Sequence, residues 1–133
     1  MLCERTYSPA HSHAVTSISC QFNSKDVFVS TSLDNTCLIW DKRLERPASL
    51  LARTESGYMA SSWLDENSLA IGSSSGNISI IDIRMKTELD RNFCTKRPIH
   101  KMKCNKELGV LAVAADDPTV RIFSCKHNIL TRM

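Results

Sequence analysis

No apolar run in this 133-residue chain is longer than Val110–Ala115, far short of the roughly 20 residues a membrane-crossing helix needs. The first residues, Met-Leu-Cys-Glu-Arg-Thr-Tyr, carry a glutamate and have no apolar centre, so a secretory leader is not expected. Charge of one sign is not in excess either. The 17 Lys and Arg face 14 Asp and Glu, a net of +3 with His neutral, too mild and too mixed to mark a nucleic-acid binder. Six cysteines contain no C-x-x-C pair: Cys3, Cys20, Cys37, Cys94, Cys104 and Cys125 each stand alone. That placement argues against a disulfide framework and for free thiols, most of them packed as small hydrophobes in a reducing compartment. Helical periodicity is also missing. What remains, 42% hydrophobic and 23% charged residues, fits one globular domain.

Short, alternating, β-branched runs take the place of helices. They fall at 15–22, 27–31, 36–40, 59–64, 68–72, 77–83, 99–104, 109–114 and 119–123, separated by polar turns such as Asn23-Ser24-Lys25-Asp26 and Asp116-Asp117-Pro118. This is the signature of antiparallel strands. The runs also repeat. The segments beginning at Leu33, Ser74 and Asp116 align turn, strand start and closing residue, at spacings of 41 and then 42 residues. A period in the low forties with about four strands per unit predicts β-propeller blades.

At these residues the chain resembles the WD-repeat family. Ala10-His11 stands where that family has Gly-His, and Ser32-Leu33-Asp34-Asn35-Thr36-Cys37-Leu38-Ile39-Trp40-Asp41 follows its turn-and-strand ending. The second repeat is degenerate and ends Ile81-Asp82. The third keeps Asp117 and Thr119-Val120-Arg121-Ile122-Phe123 but has neither the His nor the Trp-Asp. The resemblance implies an all-β WD-repeat β-propeller of about three four-stranded blades, near 11–53, 54–92 and 93–133. Its structural signature falls on His11, Ser30, Asp34, Trp40, Asp41, Asp82 and Asp117. A family ring typically has seven blades, so an incomplete propeller or a fragment is expected, with strand edges and apolar faces left open at both ends.

Several constellations invite a sharper chemistry. His11, Ser30 and Asp34 have the residue types of a catalytic triad. A triad also needs an exposed nucleophile and an oxyanion hole, and no G-x-S-x-G elbow is present, so a structural pairing is expected. Gly72-Ser73-Ser74-Ser75-Gly76 lacks the Lys-Ser/Thr ending of a phosphate loop and reads as a tight turn. His100, Met102 and Cys104 alternate along one strand, which alone cannot close a metal site, so they are expected to share an inward face. Lys101 and Lys103 then point the other way and, with Lys96, Arg97 and Lys106, form a basic stretch suited to an acidic partner. Asn77-Ile78-Ser79 is a glycosylation sequon by letter only. Neither a cofactor, a metal nor an active site is expected.

A narrower likeness follows. Leu38-Ile39-Trp40-Asp41-Lys42-Arg43, Arg46-Pro47-Ala48-Ser49, Gly57-Tyr58 and Gly76-Asn77-Ile78-Ser79-Ile80-Ile81-Asp82 are similar to the WD-repeat subunit of the methylosome. That resemblance implies a non-catalytic scaffold in cytoplasm and nucleus. It would support a protein arginine methyltransferase and present substrates such as Sm proteins or histones, with no direct nucleic-acid or membrane contact. Trp40-Asp41-Lys42-Arg43, echoed by Ile81-Asp82-Ile83-Arg84, also resembles the W-D-x-R element of cullin–RING substrate receptors. Arg43, Arg84, Lys101 and Lys103 are the candidate partner-binding residues.

Overall fold

Among the described residues the turn residues and alternating runs build twelve strands. They are β1 (Val15–Cys20), β2 (Val27–Ser32), β3 (Thr36–Asp41), β4 (Ala48–Arg53), β5 (Tyr58–Trp63), β6 (Ser68–Ser73), β7 (Asn77–Asp82), β8 (Thr87–Phe93), β9 (Ile99–Asn105), β10 (Val110–Ala115), β11 (Val120–Ser124) and β12 (Thr131–Arg132). The computed structural model describes residues 5–8, 10–46 and 48–133. Cys3, expected as a free thiol, and Pro47 of the Arg-Pro-Ala-Ser element lie outside the described residues. Each group of four consecutive strands pairs antiparallel in chain order, giving three four-stranded sheets, here called blades one to three. Among the described residues the only helix is a 3₁₀ turn at Lys126–Asn128, and no helix is long and apolar enough to cross a membrane.

The blades stack face to face through two apolar layers. Between blades one and two lie Val29, Cys37 and Leu51 against Trp63, Leu69 and Ile71. Between blades two and three lie Ala70, Ile78 and Ile80 against Leu111, Val113 and Phe123. Blade two is therefore buried on both faces, and its central strands carry unbroken burial: every residue of β6, and Ile78 to Ile81 of β7. Each fully buried Leu or Ile there contributes about 1.5–3 kcal/mol of transfer free energy. In blade three β10 alternates instead, with a neighbouring blade on one side only, whereas β2 of blade one is buried from Val29 to Ser32 because His11 and Tyr7 cover its second face. The innermost strands β1, β5 and β9 run beside one another.

Three strands escaped the sequence pattern, all of them the last of a blade. β4 buries only Leu51, while β8 and β12 bury nothing fully. A strand held mainly by hydrogen bonds to one neighbour needs no apolar alternation, so its letters read as loop. The first run also ends earlier than expected: the strand stops at Cys20, and the Gln21 amide turns back to the Val27 carbonyl at 3.1 Å.

His100 departs from its expected face for a stated reason. Each inner strand carries a bulge, at Thr16 between the Val15–Ser32 and Ser17–Thr31 pairs, at Met59, and at His100. A bulge inserts one unpaired residue and reverses the alternation beyond it. Ile99 and Met102 consequently share the core while His100 is exposed and lies 3.5 Å from Asp116. The His-Met-Cys face does not form.

Candidate functional site

The turn between β2 and β3 brings the signature residues together. Asn35 adopts φ 70°, a left-handed conformation that Asn tolerates, and this wraps the chain around the Asp34 carboxylate. Asp34 Oδ1 accepts the Thr36 amide at 3.0 Å and the Thr36 hydroxyl; Oδ2 accepts the Ser12 amide at 3.1 Å and lies 2.9 Å from His11 Nδ1. On the far side of the ring, His11 Nε2 lies 2.7 Å from Ser30 Oγ, which also accepts the Trp40 indole N–H at 2.8 Å. One proton arrangement satisfies the main chain of contacts: His11 Nδ1–H donates to Asp34 and the Ser30 hydroxyl donates to Nε2. Trp40 stacks parallel on Phe28, with centroids 5.6 Å apart, and meets Tyr7 at 4.8 Å.

These distances are those of a Ser-His-Asp relay, but the environment is not. The His11 side chain is 1% exposed and Asp34 9%, and Ser30 is buried in mid-strand with the indole on its oxygen. A nucleophile needs an open approach to its oxygen; here the approach is filled by protein. Burial opposes ionisation of Asp34, but the hydrogen bonds from Thr36, His11 and the Ser12 and Thr36 amides outweigh it and hold the carboxyl well below its ordinary range.

The other two blades solve the same turn with different chemistry. In blade two Ser75 occupies the Asp34 position, and its hydroxyl bonds Ser73 at 2.9 Å and Ser56 at 3.1 Å. Gly76 takes the Asn35 position at φ +90°, where a Cβ would lie 2.0 Å from the Thr95 carbonyl oxygen. In blade three Asp117 takes the Asp34 position and Thr95 that of His11, 3.3 Å apart. Arg121 closes on Asp117 with both Nη atoms, at 3.0 and 2.8 Å. The Arg121 hydrogen bond, then the Thr119 amide, hold Asp117 down to about 2. Thr95 and Arg121 were not foreseen, and the signal was available: an Arg four residues after a turn Asp reaches back across the hairpin.

The strand-end acids differ in the same way. Asp41 accepts the Arg43 amide at 3.0 Å and its guanidinium through Nε at 2.9 Å and Nη2 at 2.8 Å. That fork holds Asp41 down to about 2. Arg43 is exposed, as its place after β3 suggests, yet its fork is engaged within its own chain. Asp82 instead caps the Arg84 and Met85 amides at 2.9 and 3.1 Å, and the Arg84 side chain is exposed.

Lys101 and Lys103 are exposed on β9. They border a groove of about 540 Å³ along β1, β5 and β9, whose wall also carries Ser17, Ser19, Ser61 and His100 and has no Asp or Glu. Ser61 is held by both Ser17 and Ser19, at 2.6 and 2.8 Å. Cys37 and Cys94 are buried, Cys104 and Cys125 pack partly against the core, and Cys20 is exposed; these five are free thiols. Burial pushes the Cys37 thiol up to about 12.

Three stacked four-stranded meanders, turning about a groove lined by their inner strands, are three consecutive blades of a β-propeller fold. Residues 1–41 match the family described as WD domain, G-beta repeat. Among solved structures the chain is similar to the WD40 β-propeller domain of Doa1, at TM-score 0.78 and 20% identity, over 92% of this chain and 40% of that one. It is also similar to the computationally designed Ika8 protein, at TM-score 0.71 and 20% identity, over 84% of this chain and 33% of that one. The chain thus spans well under half the length of both.

Proposed function

We propose that the chain is a non-catalytic protein-interaction scaffold, working in cytoplasm and nucleus beside a protein arginine methyltransferase and helping to present that enzyme's substrates, such as Sm proteins or histones. What supports the scaffold reading above all is Ser30. Its hydroxyl, with the His11–Asp34 pair behind it, is buried and shared between His11 and the Trp40 indole, so the constellation acts as a strut. The methyltransferase reading rests on the sequence likeness around Trp40 to Ser49 and Gly76 to Asp82. The cullin–RING reading requires Arg43 to offer its fork to a partner carboxylate; the bonds from that fork to Asp41 favour the first reading over it.

Affinity capture on the 133-residue chain, read by mass spectrometry, tests the choice. A co-purifying arginine methyltransferase, retained by Arg43→Ala, is expected. A cullin adaptor in its place, lost in Arg43→Ala with folding unchanged, would transfer the assignment to the second reading. Tight S-adenosylmethionine binding to this chain alone, by calorimetry, would refute the non-catalytic role.

A further inference from the structure

The same hairpin turn is built in all three blades, and in two of them an acid holds it. Asp34 accepts the amide of Thr36, two residues on, at 3.0 Å, and Asp117 accepts that of Thr119 at 3.0 Å. Each carboxylate also bonds the loop that enters its blade, Asp34 through His11 and the Ser12 amide, Asp117 through the Thr95 hydroxyl. Blade two keeps the register. The amides of Leu33, Ser74 and Asp116 bond the carbonyls of Ala14, Gly57 and Pro98 in turn. This puts Ser75 at the acid position, and Thr54, Glu55 and Ser56 at those of His11, Ser12 and His13. The Asn77 amide goes to Ser73 Oγ at 3.2 Å instead of to a carboxylate.

What surrounds Ser75 suits an anion. The amides of Cys94 and Thr95 bond the Gly76 carbonyl at 3.1 and 3.2 Å, which fastens the loop carrying Lys96 and Arg97 to this turn. Both cations are exposed; on the other side, the entering loop 54–57 has one acid, the exposed Glu55. Of the three consecutive serines, Ser73 is 3% exposed and Ser74 half-buried, whereas Ser75 is exposed and open to an enzyme. Its hydrogen bonds also tolerate esterification. Ser56 donates to Ser75 Oγ at 3.1 Å, and the Ser73 hydroxyl, 2.9 Å away, can donate as well. Ser75 needs its own proton for neither bond.

We propose that Ser75 is a phosphorylation site. A protein serine kinase transfers the γ-phosphoryl group of ATP: the bond from Ser75 Oγ to phosphorus forms, and the bond from phosphorus to the β–γ bridging oxygen breaks. ADP leaves, and the hydroxyl proton passes to the kinase's base. The ester carries a charge of about −1.5 to −2 at neutral pH and strong acceptor oxygens. It takes in blade two the part that the Asp34 and Asp117 carboxylates take in the other blades. Charge-assisted bonds from Lys96 and Arg97, with those from the Thr54 and Ser56 hydroxyls, then clamp both flanking loops onto the hairpin.

The protein isolated under phosphatase inhibition from the cells that make it should yield, by mass spectrometry, a peptide phosphorylated on Ser75 and not on Ser73 or Ser74. The 133-residue chain made with phosphoserine encoded at position 75 should have a higher urea midpoint than the unmodified chain. Ser75→Asp should show part of that rise, and Ser75→Asn, of the same shape as Asp but uncharged, none. Changing Lys96 and Arg97 together to alanine should remove most of the rise and leave the unmodified chain's midpoint where it was. An unphosphorylated Ser75 in the cellular protein would overturn the proposal. So would a midpoint lowered by the phosphate, a rise untouched by loss of both cations, or a rise as large in Ser75→Asn as in Ser75→Asp.

Discussion

Asp34 is a nearly buried carboxylate held charged by hydrogen bonds on both oxygens, and Ser30 is a buried hydroxyl holding two ring nitrogens. Removing either leaves polar groups without partners, a loss of about 1–3 kcal/mol. Urea unfolding of Asp34→Ala and of Ser30→Ala should each show a fall of that size, while Glu107→Ala, exposed in the β9–β10 turn, stays within about 0.5 kcal/mol of wild type. Acid should act through the same residue. The Asp34 pKa is lowered on folding, so its contribution is complete above the ordinary value of 3.8 and is lost as pH falls below it. Urea midpoints measured from pH 6 down to pH 2.5 should drop in the wild type and drop less in Asp34→Asn. His11, Asp34 and Trp40 were readable because a motif is a set of residue types at fixed spacing. Thr36, which bonds Asp34 through both its amide and its hydroxyl, was passed over because a Thr at a strand start has an adequate reason to be there without any partner.

At the scale of elements, the hairpin turns explain where strands begin. The turn before β7 requires a left-handed residue, and Gly76 at φ +90° has the Thr95 carbonyl pressed against it. Gly76→Ala should lower stability by about 1–3 kcal/mol from backbone strain alone, and the clash with a backbone oxygen adds to that; thermal melts at matched concentration would measure it. Strand existence followed period-2 alternation wherever one face was buried. It failed for β4, β8 and β12, whose positions at the rim reward polar side chains. The bulges at Thr16, Met59 and His100 were equally invisible, because a bulge is a mismatch in count between two strands and neither strand shows it alone. With His100 as the unpaired residue, Lys101 and Met102 keep the faces that alternation gives them, and His100 alone leaves the inward row.

At the scale of the whole molecule, the same repeat position has opposite surroundings in different blades. Ile78 lies between two blades and Val120 on an outer face, although both begin the third strand's apolar run. Ile78→Ala should lower stability by about 2–5 kcal/mol, and Val120→Ala by no more than about 0.5 kcal/mol, in urea titrations. Similar losses at the two positions would mean that blade three carries a further apolar neighbour within the chain.

The amino-acid sequence by itself determined the strand class, the repeat of about 41 residues, the turns, and the His11–Asp34–Trp40 cluster of blade one. Each of these depends on residues close in sequence or on a pattern repeated in it, so local sterics and periodicity suffice to write them. Tertiary structure alone decided which face of each blade is covered, how Arg121 and Thr95 rebuild the lock of blade three, and that Ser30 is closed to solvent. Burial is a property of what stands opposite a side chain, and in a stack of blades that neighbour is supplied by a strand some 40 residues away.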